Sequence, residues 1–375
     1  MKEITDILSA WRECRAGGRD AVLATVVSVE GSAYRRPGAR MLILEDGRTV
    51  GSVSGGCIER DVLLRAGAIR AGAPAVVARY ESVSEEEAGP AASLGCGGVV
   101  DVLIERLAAN DENNALTPME WLWSRRKRGV IATTISGPHL GWIGAIDDEG
   151  NSLCNLSSPS PVLSPQSLSF PLAERASQQI KFNDRQVFLE YVEPAQELIL
   201  FGAGADAVPL AGLARSLGWR VTVIDLRSGP VVVERTFDAD AVLRTRADRL
   251  GELSFPFDSA IVVMTHNWSH DLAVLHRLCG VPLRYLGILG PRKRTERMMS
   301  TLGRPIADHL RYPVGLDIGA RNPEEIALAI VAEITAVRRE APGGPLRGRQ
   351  GPIHSRGDAP DGPFDENTSC SIAAS

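Results

Sequence analysis

Two cysteines stand against glycines in this chain, in Gly55-Gly56-Cys57 and in Gly95-Cys96-Gly97-Gly98. The first triplet follows the β-branched run TVGSVS and precedes Ile58, Val62, Ala66 and Ile69, which recur at helical spacing. A glycine pair between a strand and a helix leaves backbone N–H groups free at the positive end of the helix dipole, where an anion can sit. The same dipole shifts a thiol toward thiolate. Cys57 therefore reads either as a poised sulfur or as the small buried hydrophobe that free cysteine commonly is, and Cys96 carries the same two readings. The segment EGSAYRRPGAR adds Arg35, Arg36 and Arg40, with glycines and Pro37 holding an irregular backbone. That combination suits a phosphate-bearing ligand, while a solvated basic loop beside an ordinary glycine turn fits the same spacing.

A second constellation lies further along. ELILF runs into Gly202-Ala203-Gly204-Ala205-Asp206-Ala207, and Ala207, Leu210, Ala211, Ala214 and Leu217 then fall on one helical face. This is the G-x-G-x-x-A fingerprint in a strand–turn–helix setting: the glycines allow a tight turn and close approach of a pyrophosphate, and Ala207 allows close helix packing. RVTVID follows and ends on Asp225, placed to accept a ribose hydroxyl, which favours NAD over NADP, although Arg227 stands beside it. Three more motifs end predicted strands: Thr265-His266-Asn267 after SAIVVM, Gly290-Pro291-Arg292-Lys293-Arg294 after LRYLGIL, and Asp317 in VGLDIGA. Parallel sheets bind ligands at the carboxyl ends of their strands, so Arg292 is placed to hold a phosphate and His266 to hydrogen-bond or exchange protons. His266 and His270 lack the glutamate and third ligand of a zinc motif.

The elements that must position these residues fall into two sets. Ile4, Ile7, Leu8 and Trp11 predict an opening helix ending at Gly17-Gly18, followed by strands over 21–29, 39–47 and 49–54. Residues 117–193 read as a short helix, TPMEWLWSRRKR, then the strands VIATTIS and LGWIGAI, then a loop and the strand VFLEYV. That loop, 157–171, has ten Ser or Pro in fifteen residues, which rules out a central strand or a helix there. Asn322 and Pro323 start a last helix whose core face is Ile326, Ile330, Ile334 and Val337. The Gly- and Pro-rich tail after Glu340 is too poor in apolar residues to offset ordering entropy. The expected organisation is an α/β chain: an N-terminal mixed α/β domain over 1–194, a C-terminal Rossmann-like doubly wound parallel sheet over 195–339, and a disordered tail over 340–375.

Composition bounds the function. The 375 residues carry 41 basic and 46 acidic side chains, net −5, with no basic stripe, so nucleic acid is not an expected partner. No stretch approaches the ~20 apolar residues of a membrane helix, and the N-terminus lacks a signal-peptide pattern, so the expected location is the cytoplasm. Six scattered cysteines without a C-x-x-C pair predict reduced thiols.

Taken together, GSAYRRPGARML, DGRTVGSVSGGCIERDV, SLGCGG, FGAGADAVPLAGLARSLGWRVTVIDLR, MTHNWSHD, GILGPRKR and PVGLDIGARNPEEIALAIVAEI resemble the XdhC/CoxI family in order and content. The resemblance implies a maturation factor that binds molybdenum cofactor (molybdopterin), protects it while a separate cysteine desulfurase supplies its sulfido ligand, and delivers it to the apoenzyme of a xanthine dehydrogenase-type molybdenum hydroxylase. It also implies a homodimer. The ligand-facing positions carried over are Arg35, Arg36, Gly55, Gly56, Cys57, Gly95, Cys96 and the loop at Gly202 and Gly204. The chain departs from the family pattern at Tyr34 and Ala205. The competing expectation is an NAD(P)-dependent oxidoreductase built on Gly202, Gly204, Asp225 and His266.

Overall fold

The structure is a computed structural model that describes residues 2–31, 33–56, 58–81, 98–137, 139–154, 171–172, 175–182, 184–227, 235–303 and 310–348. The chain divides into two compact units, Glu3–Pro194 and Ala195–Gln350.

The first unit holds two five-stranded antiparallel sheets. One runs in the order β3-β2-β1-β5-β4, from β1 (Ala21–Glu30), β2 (Arg40–Leu44), β3 (Thr49–Gly51), β4 (Val76–Glu81) and β5 (Val99–Leu107). The other runs β8-β7-β6-β10-β9, from β6 (Gly129–Thr134), β7 (Ile143–Asp147), β8 (Ser152–Cys154), β9 (Gln178–Phe182) and β10 (Arg185–Val192). Strand β1 is central, pairing Ala21 with both Leu44 and Leu107, and its two faces are both covered. Leu23 shares a core with Leu42 and Leu107, with Ile131, Ile143 and Val192 of the other sheet, and with helices α1 (Lys2–Ala16) and α3 (Thr117–Arg125). On the opposite face, Val22, Ala24 and Val26 pack on Val62, Ala66 and Ile69 of α2 (Glu59–Arg70). Burying a Val or Ile side chain contributes roughly 1.5–3 kcal/mol, so this stripe is what holds α2 to the sheet.

Several local expectations are corrected. The third strand stops at Gly51 rather than running to Ser54, because Gly51 takes φ +81 with a Cβ position only 2.3 Å from Arg40 O. Strands β4, β8 and β9 carry no strong sequence signal: β9 is an edge strand whose residues are exposed or half-buried in alternation. Arg126 ends α3 in the left-handed region, Arg125 lies 5.0 Å from the Trp121 ring, and Lys127 pairs with Glu149. The Ser/Pro loop lies mostly outside the described residues.

The second unit is a six-stranded parallel sheet in the order β13-β12-β11-β14-β15-β16, from β11 (Glu197–Phe201), β12 (Arg220–Asp225), β13 (Ala241–Arg244), β14 (Ala260–Val263), β15 (Tyr285–Ile288) and β16 (Leu310–Arg311). Side chains alternate along β11: Leu198 and Leu200 face α4 (Ala207–Ser216) and α7 (Pro323–Arg338), while Ile199 and Phe201 face α5 (Trp268–Leu278) and α6 (Arg292–Leu302). Helices therefore cover both faces, the doubly wound arrangement expected from the sequence. The strand order starts at β11, moves outward through β12 and β13, and returns to β14 on β11's other side. Adjacent strands thus lead their chains away in opposite directions and leave a crevice between the carboxyl ends of β11 and β14.

Leu217 does not join the helical face. It lies one residue past α4, 43% exposed, where the chain turns into Gly218. Asn322 caps α7 as its sequence indicates, accepting the Glu325 amide at 2.8 Å. Residues 340–348 fold into a short 3-10 turn at Leu346–Gly348, and the remaining tail lies outside the described residues. Among the described residues no helix is long and apolar enough to cross a membrane.

Candidate functional site

In the first unit, Gly55 and Gly56 are exposed at the entry to α2. The Ser54 hydroxyl accepts the Gly56 amide at 2.9 Å, and Glu59 reaches back to the Ser54 amide at 3.3 Å. A Cβ on Gly56 would lie 3.6 Å from Glu59 Oε2, so a carboxylate of the protein already stands near the turn expected to receive an anion. The Tyr34 ring, 74% exposed, comes up against Gly55 with atoms 3.6–3.8 Å from a Cβ position there. The segment around Tyr34 and the glycine turn are therefore neighbours. Arg36 is exposed. Arg35 is half-buried, both Glu3 carboxylate oxygens accept from its Nη2, and its buried Nε has no partner among the described residues. Cys57, Gly95 and Cys96 lie outside the described residues.

Arg40 is corrected from a ligand candidate to a structural group. It is 3% exposed, donates to Glu190 Oε1 at 2.7 Å and to Gly38 O at 2.8 Å, and also reaches Glu190 Oε2. Gly38, at φ +95, leaves room for that carboxylate: a Cβ there would be 2.7 Å from Glu190 Oε1. The pair thereby fixes the base of the loop that carries Tyr34, Arg35 and Arg36. Glu105 completes this cluster. Burial pushes its carboxyl up to about 8, against the lowering pull of the Arg40 charge.

In the second unit the structure brings Gly202, Gly204 and His266 together at the crevice between β11 and β14. Gly202 is held at φ +130 with a Cβ position 2.4 Å from Met264 O, which only glycine tolerates. His266 takes φ +57, an uncommon conformation for a residue with a side chain, and its Nε2 lies 2.6 Å from Asp206 Oδ2. Nothing local in the sequence marks Asp206, because its partner lies 60 positions away. Its Oδ1 stands 2.5 Å from a Cβ position on Gly204, so this carboxylate fills the space over the second glycine of the fingerprint.

The His266 turn is anchored from beneath. Asp271, fully buried, accepts from the Thr265 hydroxyl at 2.6 Å, and its Oδ2 pairs with Arg294 Nη1 at 2.6 Å. Arg294 and Arg297 also lie 5.9 and 5.6 Å from the Trp268 ring centre. Arg292 is exposed and lies over the Tyr312 ring at 5.2 Å.

Asp225 ends β12 as anticipated, but both of its oxygens are taken by Arg227 at 2.9 Å, with Arg244 4.0 Å away. Burial works to raise its pKa, yet the Arg227 side-chain and backbone donors outweigh burial and hold it below the ordinary carboxylate range. A ribose hydroxyl would have to compete with that bidentate pair. No cluster of three or more metal-ligating side chains occurs among the described residues.

Residues 198–334 match the XdhC Rossmann domain and residues 14–81 match the XdhC and CoxI family. Over 325 residues the chain is 34% identical to a Bacillus subtilis protein named as a probable xanthine dehydrogenase subunit, with 85% of this chain and 94% of that one aligned. The chain belongs to the XdhC and CoxI family. This XdhC and CoxI family chain is also 27% identical to the molybdenum cofactor insertion chaperone PaoD of Escherichia coli, over 87% of its own length and 86% of PaoD's. Among solved structures, it superposes on a crystal structure described as a xanthine dehydrogenase from Bacillus halodurans with a TM-score of 0.74 and 31% identity, covering 89% of this chain and 96% of the other.

Proposed function

We propose that this chain is a maturation factor that binds molybdenum cofactor and assists its insertion into a xanthine dehydrogenase-type molybdenum hydroxylase. The observation that carries the reading is the Asp206 carboxylate over Gly204, where a dinucleotide would lay its pyrophosphate, in a chain similar over most of its length to an insertion chaperone. The fold then serves to hold cargo rather than to position a nicotinamide for hydride transfer.

In this reading the exposed Arg36, with Arg35 and the backbone of Gly55 and Gly56, faces the anionic part of the cargo. Cys57, Gly95 and Cys96, which lie outside the described residues, are ligand-facing positions in this reading on the family resemblance alone. Gly202, Gly204 and His266 line the crevice of the second unit, with Asp225 and Arg292 at neighbouring strand ends. A separate cysteine desulfurase supplies sulfur while the cargo is held, and the chain works in the cytoplasm as a homodimer. An NAD(P)-dependent oxidoreductase is the competing reading. The fingerprint glycines favour it; the engagement of Asp206 with His266 and of Asp225 with Arg227 counts against it.

Purified full-length protein should release a fluorescent oxidised pterin on denaturation, and its co-expression with a hydroxylase should raise that enzyme's activity. Protein that retains no pterin and leaves the hydroxylase unchanged would overturn the reading.

A further inference from the structure

We infer that Asp206 sets ligand choice at the β11/β14 crevice: its carboxylate excludes a dinucleotide pyrophosphate and accepts instead from the N–H edge of a heterocycle, the 2-amino-4-oxopyrimidine edge shared by pterins and guanine. Three observations carry this. Asp206 stands at the N-cap of α4 yet makes no capping hydrogen bond; its side chain turns away from the helix amides toward His266. Gly204, which in a dinucleotide site gives room to a phosphate, here gives room to the protein's own acid, with Oδ1 2.5 Å from the Cβ position. The first turn of α4 is also poor in donors, because Pro209 has no N–H and the Val208 amide turns back to Ala205 O at 3.3 Å.

What the crevice does offer is an acceptor. His266 engages Oδ2, and Oδ1 has no hydrogen-bond partner among the described residues. With Oδ2 held by His266, Oδ1 is the oxygen that can accept an N–H from a ring edge, as ionised acids do when they read amino-substituted bases. Like charge repels a pyrophosphate at the same place. The exclusion half stands on the position and the charge of Asp206; the pterin half rests on the proposed function, in which the cargo carries a pterin.

The test is calorimetric titration of the full chain with NAD, pterin and guanosine, for the wild type, Asp206→Asn and Asp206→Ala, with melting curves showing that each variant is folded. Losing an ionic acceptor from a paired contact is expected to weaken pterin or guanosine binding about tenfold or more. Both variants should gain NAD affinity by a similar factor. Which of the two heterocycles binds the wild type identifies whether the edge belongs to the pterin or to a nucleobase. The inference is overturned if the wild type binds NAD as tightly as Asp206→Asn, or if both variants keep wild-type affinity for the heterocycle. A wild type that releases fluorescent pterin from bound cargo, but binds neither free ring, overturns the heterocycle half while leaving the carrier reading in place.

Discussion

Arg40 and Glu190 meet as a buried bidentate ion pair across 150 positions of sequence, joining β2 of one antiparallel sheet to β10 of the other. The pair also reaches Gly38, so the loop bearing Tyr34 and Arg36 is seated on an electrostatic contact between sheets. Removing Glu190 alone would leave a guanidinium in the core with its counter-ion gone. Glu190→Ala should therefore destabilise the first unit by about 3–5 kcal/mol, whereas Arg40→Met combined with Glu190→Leu should cost much less. Urea denaturation of the two variants checks this; equal losses would mean the pair does not act as a unit.

Glu105 predicts a pH dependence. Its folded pKa lies near 8 against 4.5 for the ordinary group, so the folded state holds a proton that the unfolded chain has released. The contribution is complete below about 4.5 and is lost as pH rises through 8. The side chain is only partly buried by surface exposure, so solvent screening limits the loss to on the order of 2 kcal/mol. Glu105→Gln should flatten the fall in melting temperature between pH 5 and pH 9, both values chosen to bracket that window.

Gly202→Ala should weaken the second unit. The substitution places a methyl group 2.4 Å from Met264 O at φ +130, and strained backbone of this kind costs roughly 1–3 kcal/mol before the clash is counted. A lowered melting temperature, with NAD titration unchanged from wild type, is the expected result; an unshifted melt would mean the turn relaxes freely.

Asp271→Ala should unseat the His266 turn. It removes the acceptor of the Thr265 hydroxyl and leaves the largely buried Arg294 without its partner, a loss of about 3 kcal/mol or more. Proteolysis should then cut first near Thr265–Trp268, and the amount of released pterin should fall. Unchanged cleavage would place the rigidity of this turn elsewhere.

The legible parts of the chain are those that rest on local pattern. ELILF followed by Gly202 and Gly204, the alternation along RVTVID and the Asn322 cap are short-range signals, and each element stands where its pattern puts it. Leu217 misled because periodicity continues past the point where the backbone leaves the helix. Glu190 sits in VFLEYV, where a lone charge reads as the solvent face of a strand; only a second sheet bringing Arg40 makes it a core residue. Asp206 occupies a variable position of the fingerprint, and its role is supplied by a histidine just past the end of β14.

The adjacency of β11 and β14 bears on when this protein becomes competent during synthesis. The glycine loop leaves the ribosome long before the histidine that completes the crevice, and β11 acquires one of its two neighbours only after β12 and β13 have been made. Parallel pairing over such a separation forms late. A nascent chain halted before Thr265 would thus display an unfinished sheet edge with a half-built crevice, and a stalled or truncated product would be a candidate for chaperone triage rather than a weak version of the finished molecule.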